Sequence, residues 1–320
     1  MTKETKVKLD NYLKTRGLFF FVIFLTINIL AYLNIINLFI DIISHFRLQY
    51  LLISIIFFII FIYVTFSDKR FITAILASIL LIGMNFYGIH NYIGKKMFAN
   101  SEYNIKLGLF NVLTQNKNYE TFLNEVKTNN PDIIILQEVD DSWLENIKEL
   151  KSEYSYSNKL PRDDNFGIAL FSKVPLKFCL IEFWTDLDIP VIHALTTNDI
   201  EIYGIHTLPP TGEKYFQIRN EMLEKISTLN RNKNTKLIIS GDLNTTIYSP
   251  AYRKHIKSAE LNDAQIFAKN IKGTWNSAHF PIFRIPLEHI LFSKNLKLNN
   301  FSIGKNFGSD HLPVFAEIGR

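Results

Sequence analysis

The stretch Lys236-Leu237-Ile238-Ile239-Ser240-Gly241-Asp242-Leu243-Asn244 reads as a short buried strand cut off by a Gly-Asp turn. A continuous apolar run of a few residues, bounded by turn signals, suits a strand covered on both faces. The same form occurs upstream, where Pro131-Asp132 opens the run 133–136 and Gln137-Glu138 closes it. Working outward, 105–110 alternates like a half-buried strand. Residues 119–129 place Phe122, Leu123 and Val126 at helical spacing, and a second helix is expected over 142–150. Strand-like runs follow at 167–171, 176–183, 191–196 and 200–206, then a helix at 218–229 and strands near 288–292, 296–303 and 314–318. Strands with a few intervening helices predict an α+β domain over 100–320, a two-sheet β-sandwich flanked by helices in four αββα layers.

The preceding 1–99 differ in composition. Three uncharged stretches, 18–40, 48–67 and 71–94, are dominated by Ile, Leu and Phe. Each reaches the roughly 20 residues that cross a hydrocarbon core as a helix. About three transmembrane helices are therefore expected, serving as an anchor. Lys3, Lys6, Lys8, Lys14 and Arg16 precede the first stretch, and Lys69 and Arg70 separate the second from the third. The positive-inside rule then puts the N-terminus in the cytoplasm and the C-terminal domain outside a bacterial inner membrane. Asn28, Asn34, Asn37 and Asn85 within these stretches read as interhelical hydrogen-bonding groups. No Asp, Glu, Lys or Arg lies mid-stretch, which argues against a transporter.

Of the 35 Lys+Arg and 30 Asp+Glu, residues 1–99 hold 10 and 4, leaving 25 and 26 for 100–320. The net charge of +5 is thus +6 from the anchor and −1 from the domain. Nucleic acid is possible as a partner but not favoured, because its binding draws on clustered cations in the globular part. The single cysteine, Cys179, lacks a Cys/His context and reads as structural. No protein partner can be inferred.

Polar residues recur where apolar strands end: Asn111, Glu138, His206, then Asp242 and Asn244, with Ser309-Asp310-His311 before the last strand. Singly, each has a bland explanation as a turn or surface residue. As a set of hard oxygen donors without a Cys/His cluster, they suit Mg²⁺ or Mn²⁺ better than Zn²⁺.

The ordered succession Phe110-Asn111-Val112, Leu136-Gln137-Glu138-Val139, Tyr203-Gly204-Ile205-His206-Thr207, Ser240-Gly241-Asp242-Leu243-Asn244 and Ser309-Asp310-His311 resembles the endonuclease/exonuclease/phosphatase family. Three local features look like a bacterial membrane-anchored branch: His206-Thr207-Leu208-Pro209-Pro210, Gly273-Thr274-Trp275 and Ile285-Pro286-Leu287-Glu288-His289. The resemblance implies a divalent metal at Glu138, with Asn111 beside it and Asp310 near a second metal position. It implies catalytic roles for Asp242, Asn244, His206 and His311. Glu288 stands where the family usually has the aspartate that supports its last histidine, one methylene longer, and is expected to join the catalytic set by orienting His311. Asn165 and Arg219 are expected as substrate-binding candidates, though Arg219 reads more readily as an exposed helix arginine. Trp275 is open between stacking on substrate and filling a core under a loop.

The function expected is metal-assisted attack of water on a phosphodiester, whether lipid head group, nucleic acid or small phosphate ester. The alternative is an inactive membrane receptor or scaffold that retains the fold.

Overall fold

The computed structural model describes residues 3–101, 104–229 and 234–320. Its contacts group the chain into two compact units, Met1–Asn91 with Tyr248–Pro250, and Tyr92–Ile247 with Ala251–Arg320.

In the first unit, α1 (Lys3–Tyr12) runs through a π-turn (Leu13–Gly17) into α2 (Leu18–Tyr32), followed by α3 (Leu38–Ser44), α4 (Arg47–Thr65) and α5 (Ile72–Ile89). Three segments are long and apolar enough to cross a membrane: Glu4–Tyr32, Arg47–Thr65 and Lys69–Tyr92. Large apolar side chains such as Phe20, Ile59, Leu76 and Leu80 face outward, while Phe21, Phe24 and Phe61 pack within. The stretch 18–40 is not one helix, as its composition suggested. Leu33 turns to an extended conformation, and the Asn37 side chain accepts from the Phe39 and Ile40 N–H groups, capping α3. An asparagine before an apolar run offers orphan helix donors a partner, so a new helix starts there. Asn28 and Asn85 do bond across helices, Asn85 Nδ2 donating to Asn28 Oδ1 at 2.8 Å.

The second unit holds two six-stranded sheets. The strands are β1 (Asn104–Asn111), β2 (Ile133–Gln137), β3 (Tyr156–Leu160), β4 (Ile168–Ser172), β5 (Leu176–Phe183), β6 (Pro190–Thr196), β7 (Ile200–Ile205), β8 (Lys236–Asp242), β9 (Asn262–Asp263), β10 (Glu288–Phe292), β11 (Lys297–Ile303) and β12 (Val314–Gly319). One sheet runs β11-β12-β1-β2-β4-β3 and the other β5-β6-β7-β8-β10-β9. Their facing sides form a single apolar core. Leu107, Leu109, Ile133, Ile135 and Ile168 come from the first sheet, and Ile192, Ile202, Ile238 and Ile290 from the second. Helices α6 (Tyr119–Asn129) and α7 (Asp141–Asn146) cover the outer face of the first sheet with Phe122, Val126 and Trp143. Helix α8 (Glu213–Leu229) buries Phe216, Met222, Leu223 and Ile226. The expected α+β sandwich is therefore observed.

Two pairings decide where a site can form. β1 pairs parallel with β2 and β7 parallel with β8, whereas the remaining ladders are antiparallel. Parallel neighbours require a crossover, supplied here by α6 and α8. Each parallel pair therefore releases both of its C-terminal ends on the same side. In open sheets, that carboxyl edge is where ligands bind.

Candidate active site

Asn111 ends β1, Glu138 follows β2, His206 follows β7 and Asp242 ends β8. The two parallel pairs thus deliver four side chains to one rim. A buried residue joins the pairs across the sandwich. Gln137 Nε2 donates to Ile205 O at 2.6 Å, and its Oε1 accepts from the Asp242 N–H at 3.2 Å. Gly241 permits this approach, since a Cβ there would collide with Ile205 O and crowd Gln137 Nε2.

Asp242 is the centre of the second-sheet half. Its Oδ2 lies 3.8 Å from His206 Nε2 and 3.7 Å from His311 Nδ1, and its Oδ1 accepts from the Asn244 N–H at 2.8 Å. Register places Glu288 directly opposite Asp242 on β10, and Glu288 Oε1 takes the hydrogen bond of His311 Nδ1. The longer glutamate therefore reaches the imidazole. Asn244, at φ +45°, turns its Nδ2 onto Thr207 O at 2.8 Å.

The first-sheet half is built around Glu138, at φ +62°, in a left-handed conformation that is uncommon for a non-glycine residue. Asn111 Nδ2 donates to Glu138 Oε1 at 2.8 Å, while Asn111 Oδ1 accepts from the Leu113 N–H. Asn111 therefore orients the carboxylate. Ser309 Oγ donates to Asn111 O and accepts from the His311 N–H, tying the final loop to β1. Asp310 is held by Trp275, whose Nε1 donates to Asp310 Oδ2 at 3.0 Å. Asp310 Oδ1 stands 3.9 Å from His311 Nε2.

Burial sets the charges. It pushes the Glu138 carboxyl up, against the Asn111 hydrogen bond and the His311 charge, with Asp310 raising it further. Burial likewise raises Asp242. His206 is driven down to about 3, first by burial and then by the His311 charge, so it is neutral at physiological pH. Burial would also lower His311, but Glu288, Asp242 and Asp310 outweigh it, and the imidazole is held protonated well above its usual range. Opposed shifts on neighbouring groups separate proton donors from acceptors.

Two groupings could hold a cation. Asp242, Glu288 and His311 bring one ligand atom each within 4.8 Å of one another. Their positions are already explained by a proton shared between His311 and Glu288, which a metal would have to displace. Glu138 and Asp310 fit better. Each raises the case for a counter-charge, because Asp310 pushes Glu138 up and Asp310 Oδ1 is buried without a hydrogen-bond partner. A second carboxylate close enough to raise Glu138, with one oxygen that accepts no hydrogen bond, suits a hard divalent cation.

The remaining expectations divide. Asn165 sits exposed at φ +67° in the loop before β4, and neighbouring Phe166 brings its ring 5.5 Å from that of His206. Arg219 is not the exposed helix arginine its position suggested. It is fully buried, and its Nη1 donates to Asn244 O at 3.1 Å. This face of the helix looks toward the Asn244 turn rather than toward solvent. Gln137 and Phe166 form part of the site without having been singled out as site residues, and Trp275, open between stacking on substrate and filling a core, bonds Asp310. Gln137 gave one sequence signal, a polar residue ending an apolar strand and preceding the glutamate. Cys179 stands apart, its thiol raised by burial to about 11.

No curated protein matches the chain in sequence. Solved structures do match in fold. TDP2 of D. rerio complexed with a single-strand DNA product is 14% identical, with 68% of this chain and 100% of that chain covered at a TM-score of 0.56. The human Nocturnin catalytic domain with bound sulfate is 20% identical, with 68% and 93% covered at 0.53. The mannosyl-6-phosphatase Bt3783 of Bacteroides thetaiotaomicron is 18% identical, with 68% and 100% covered at 0.54. Residues 108–311, from β1 to His311, match one family model, and the chain belongs to the Endonuclease/Exonuclease/phosphatase family.

Proposed function

We propose that the chain is a membrane-anchored, Mg²⁺- or Mn²⁺-dependent phosphodiesterase, in which residues 1–99 anchor and residues 100–320 hydrolyse. The observation that carries this reading is the meeting of two chemistries on one rim. A carboxylate pair, Glu138 and Asp310, in which Asp310 raises Glu138, stands beside an aspartate set between two imidazoles. An inactive scaffold has no need for either.

Glu138 and Asp310 would hold the cation, which would supply charge neutralisation at the phosphoryl and leaving oxygens. The chain's own groups do the rest. Asp242, with Asn244 fixed beside it, orients the attacking water and accepts its proton. Protonated His311, held by Glu288, donates to a phosphoryl oxygen, and neutral His206 offers a hydrogen bond from the other side of Asp242. Asn165 and Phe166 border the approach for the substituent. Arg219 is a positioning residue that acts through the Asn244 carbonyl.

The ester is not fixed by kinship, since fold neighbours carry names for both a DNA product and a sugar phosphatase. The three long apolar helices favour a substrate at the membrane, and the domain charge of −1 does not favour nucleic acid. The reading also places the hydrolase domain on the extracytoplasmic side of a bacterial inner membrane. The test is turnover of a phosphodiester reporter by the full-length protein with Mg²⁺, lost in Glu138→Ala and Asp242→Ala. Absence of turnover on diester, monoester and lipid panels while calorimetry shows Mg²⁺ bound would refute it.

A further inference from the structure

Apart from the membrane-length helices and their flanks, few large apolar side chains of the described residues are exposed, and three of them crowd one turn. Phe280 is 78% exposed, Ile282 48% and Phe283 56%, with Pro281 also exposed between them. The turn is braced rather than floppy. Phe283 N–H donates to Phe280 O, Arg284 N–H donates to Pro281 O, and the Arg284 guanidinium donates to His279 O and Ser277 O. A preorganised apolar tip loses little freedom when it is buried.

The base of this loop is built into the rim. Ser277 N–H donates to Asp310 O at 2.7 Å, Ser277 Oγ donates to Ser309 O, and Trp275 bridges to both Ile285 and His311. Whatever covers the tip is therefore held next to Asp310 and His311. The charge around it is one-sided. Between Asp263 and Glu288 there is no Asp or Glu, but there are Lys269, Lys272 and Arg284, in a domain whose net charge is −1.

We infer that the Phe280–Phe283 tip penetrates a lipid surface, so that the rim meets phosphate esters presented at that surface. An exposed apolar tip with Arg284 at its base, in a segment free of acidic residues, matches apolar acyl chains beneath anionic head groups. The chain's own three membrane-length helices keep that surface at high effective concentration. The substrate half of this inference rests on the proposed phosphodiesterase reading, whereas tip insertion does not.

The test uses the full-length chain in phosphatidylcholine–phosphatidylglycerol vesicles. Phe280→Trp adds an indole at the tip, and its added emission over the wild type is compared between ordinary and acyl-brominated lipids. Strong quenching of the added emission by bromine is expected. Equal emission in both lipids overturns the inference, as does a concentration-dependent blue shift without quenching, which would assign the tip to a second copy. In parallel, the Phe280→Ser/Ile282→Ser/Phe283→Ser variant should lose about tenfold or more in kcat/KM on a vesicle-borne lipid phosphodiester, from the apolar surface removed. Its kcat/KM on soluble bis(p-nitrophenyl) phosphate should be unchanged. Equal effects on both esters overturn the lipid-substrate half. Should the wild type cleave neither, the phosphodiesterase reading fails while quenching still decides insertion.

Discussion

At the scale of single residues, the site depends on which groups keep a proton. Asp242 and Glu138 are raised by burial, so both take up protons above the ordinary carboxylate range and activity should fall on the acid side accordingly. His311 is raised by Glu288, Asp242 and Asp310 against burial, so its proton persists into alkaline solution and the alkaline limb should be late. Glu288→Gln removes one of the charges that hold the proton. The alkaline limb of kcat/KM should then move to lower pH, and the acid limb should follow it, because the Glu288 charge also raises Asp242. Raising Mg²⁺ should shift the Glu138-governed limb the other way along the acid side, to lower pH, because a cation favours the ionised form. Replacing the groups themselves is more severe. Asp242→Asn should cost about 10²–10⁴-fold in kcat, the span of general acid–base contributions, with the thermal midpoint unchanged or raised. Glu288 itself was legible as an irregularity in the sequence. That it reaches His311 follows from a register, Glu288 opposite Asp242, that no local pattern encodes.

At the scale of elements, precision comes from contacts behind the rim. Gln137 holds the two sheets together through Ile205 O and the Asp242 N–H, all in buried positions. Gln137→Ala would leave both groups short of a partner, at about 1–3 kcal/mol each, and should lower kcat as Asp242 loses its placement. Chemical denaturation alongside kinetics measures both. Arg219→Ala should act similarly through Asn244, lowering kcat more than it raises KM, whereas loss of a direct substrate contact would raise KM. The strands bearing site residues were readable because each is a buried apolar run with an abrupt polar end. β3 was not, since Tyr156–Leu160 is a partly exposed edge strand of mixed polarity, and two-residue β9 is too short to show a period. Helix α8 begins at Glu213, ahead of the expected 218, and its first turn already carries the buried Phe216. The break after Tyr32 lay inside an unbroken apolar run, where only the capping chemistry of Asn37 marks it.

At the scale of the whole molecule, the sequence separates an apolar third from a charged remainder, and three described segments of membrane-crossing length bear out that contrast. Sidedness rests on Lys and Arg flanks alone. Protease added to intact cells should digest the hydrolase domain while leaving the N-terminal basic segment protected, and the reverse pattern would place the domain in the cytoplasm. The excess basic charge lies in residues 1–99, so the salt dependence of the proposed hydrolysis should be shallow for a soluble diester.

The order of strands in the first sheet has a consequence for how the protein comes into being. β1, at the start of the hydrolase unit, is sandwiched between β2 and β12, with Leu109 opposite Val314 near the end of the chain. A growing polypeptide therefore cannot close this sheet on β1 until residues 314–319 have emerged. Asp310 and His311 arrive just before that closing strand. Until that strand has emerged, the nascent polypeptide has neither a finished sheet nor a finished rim.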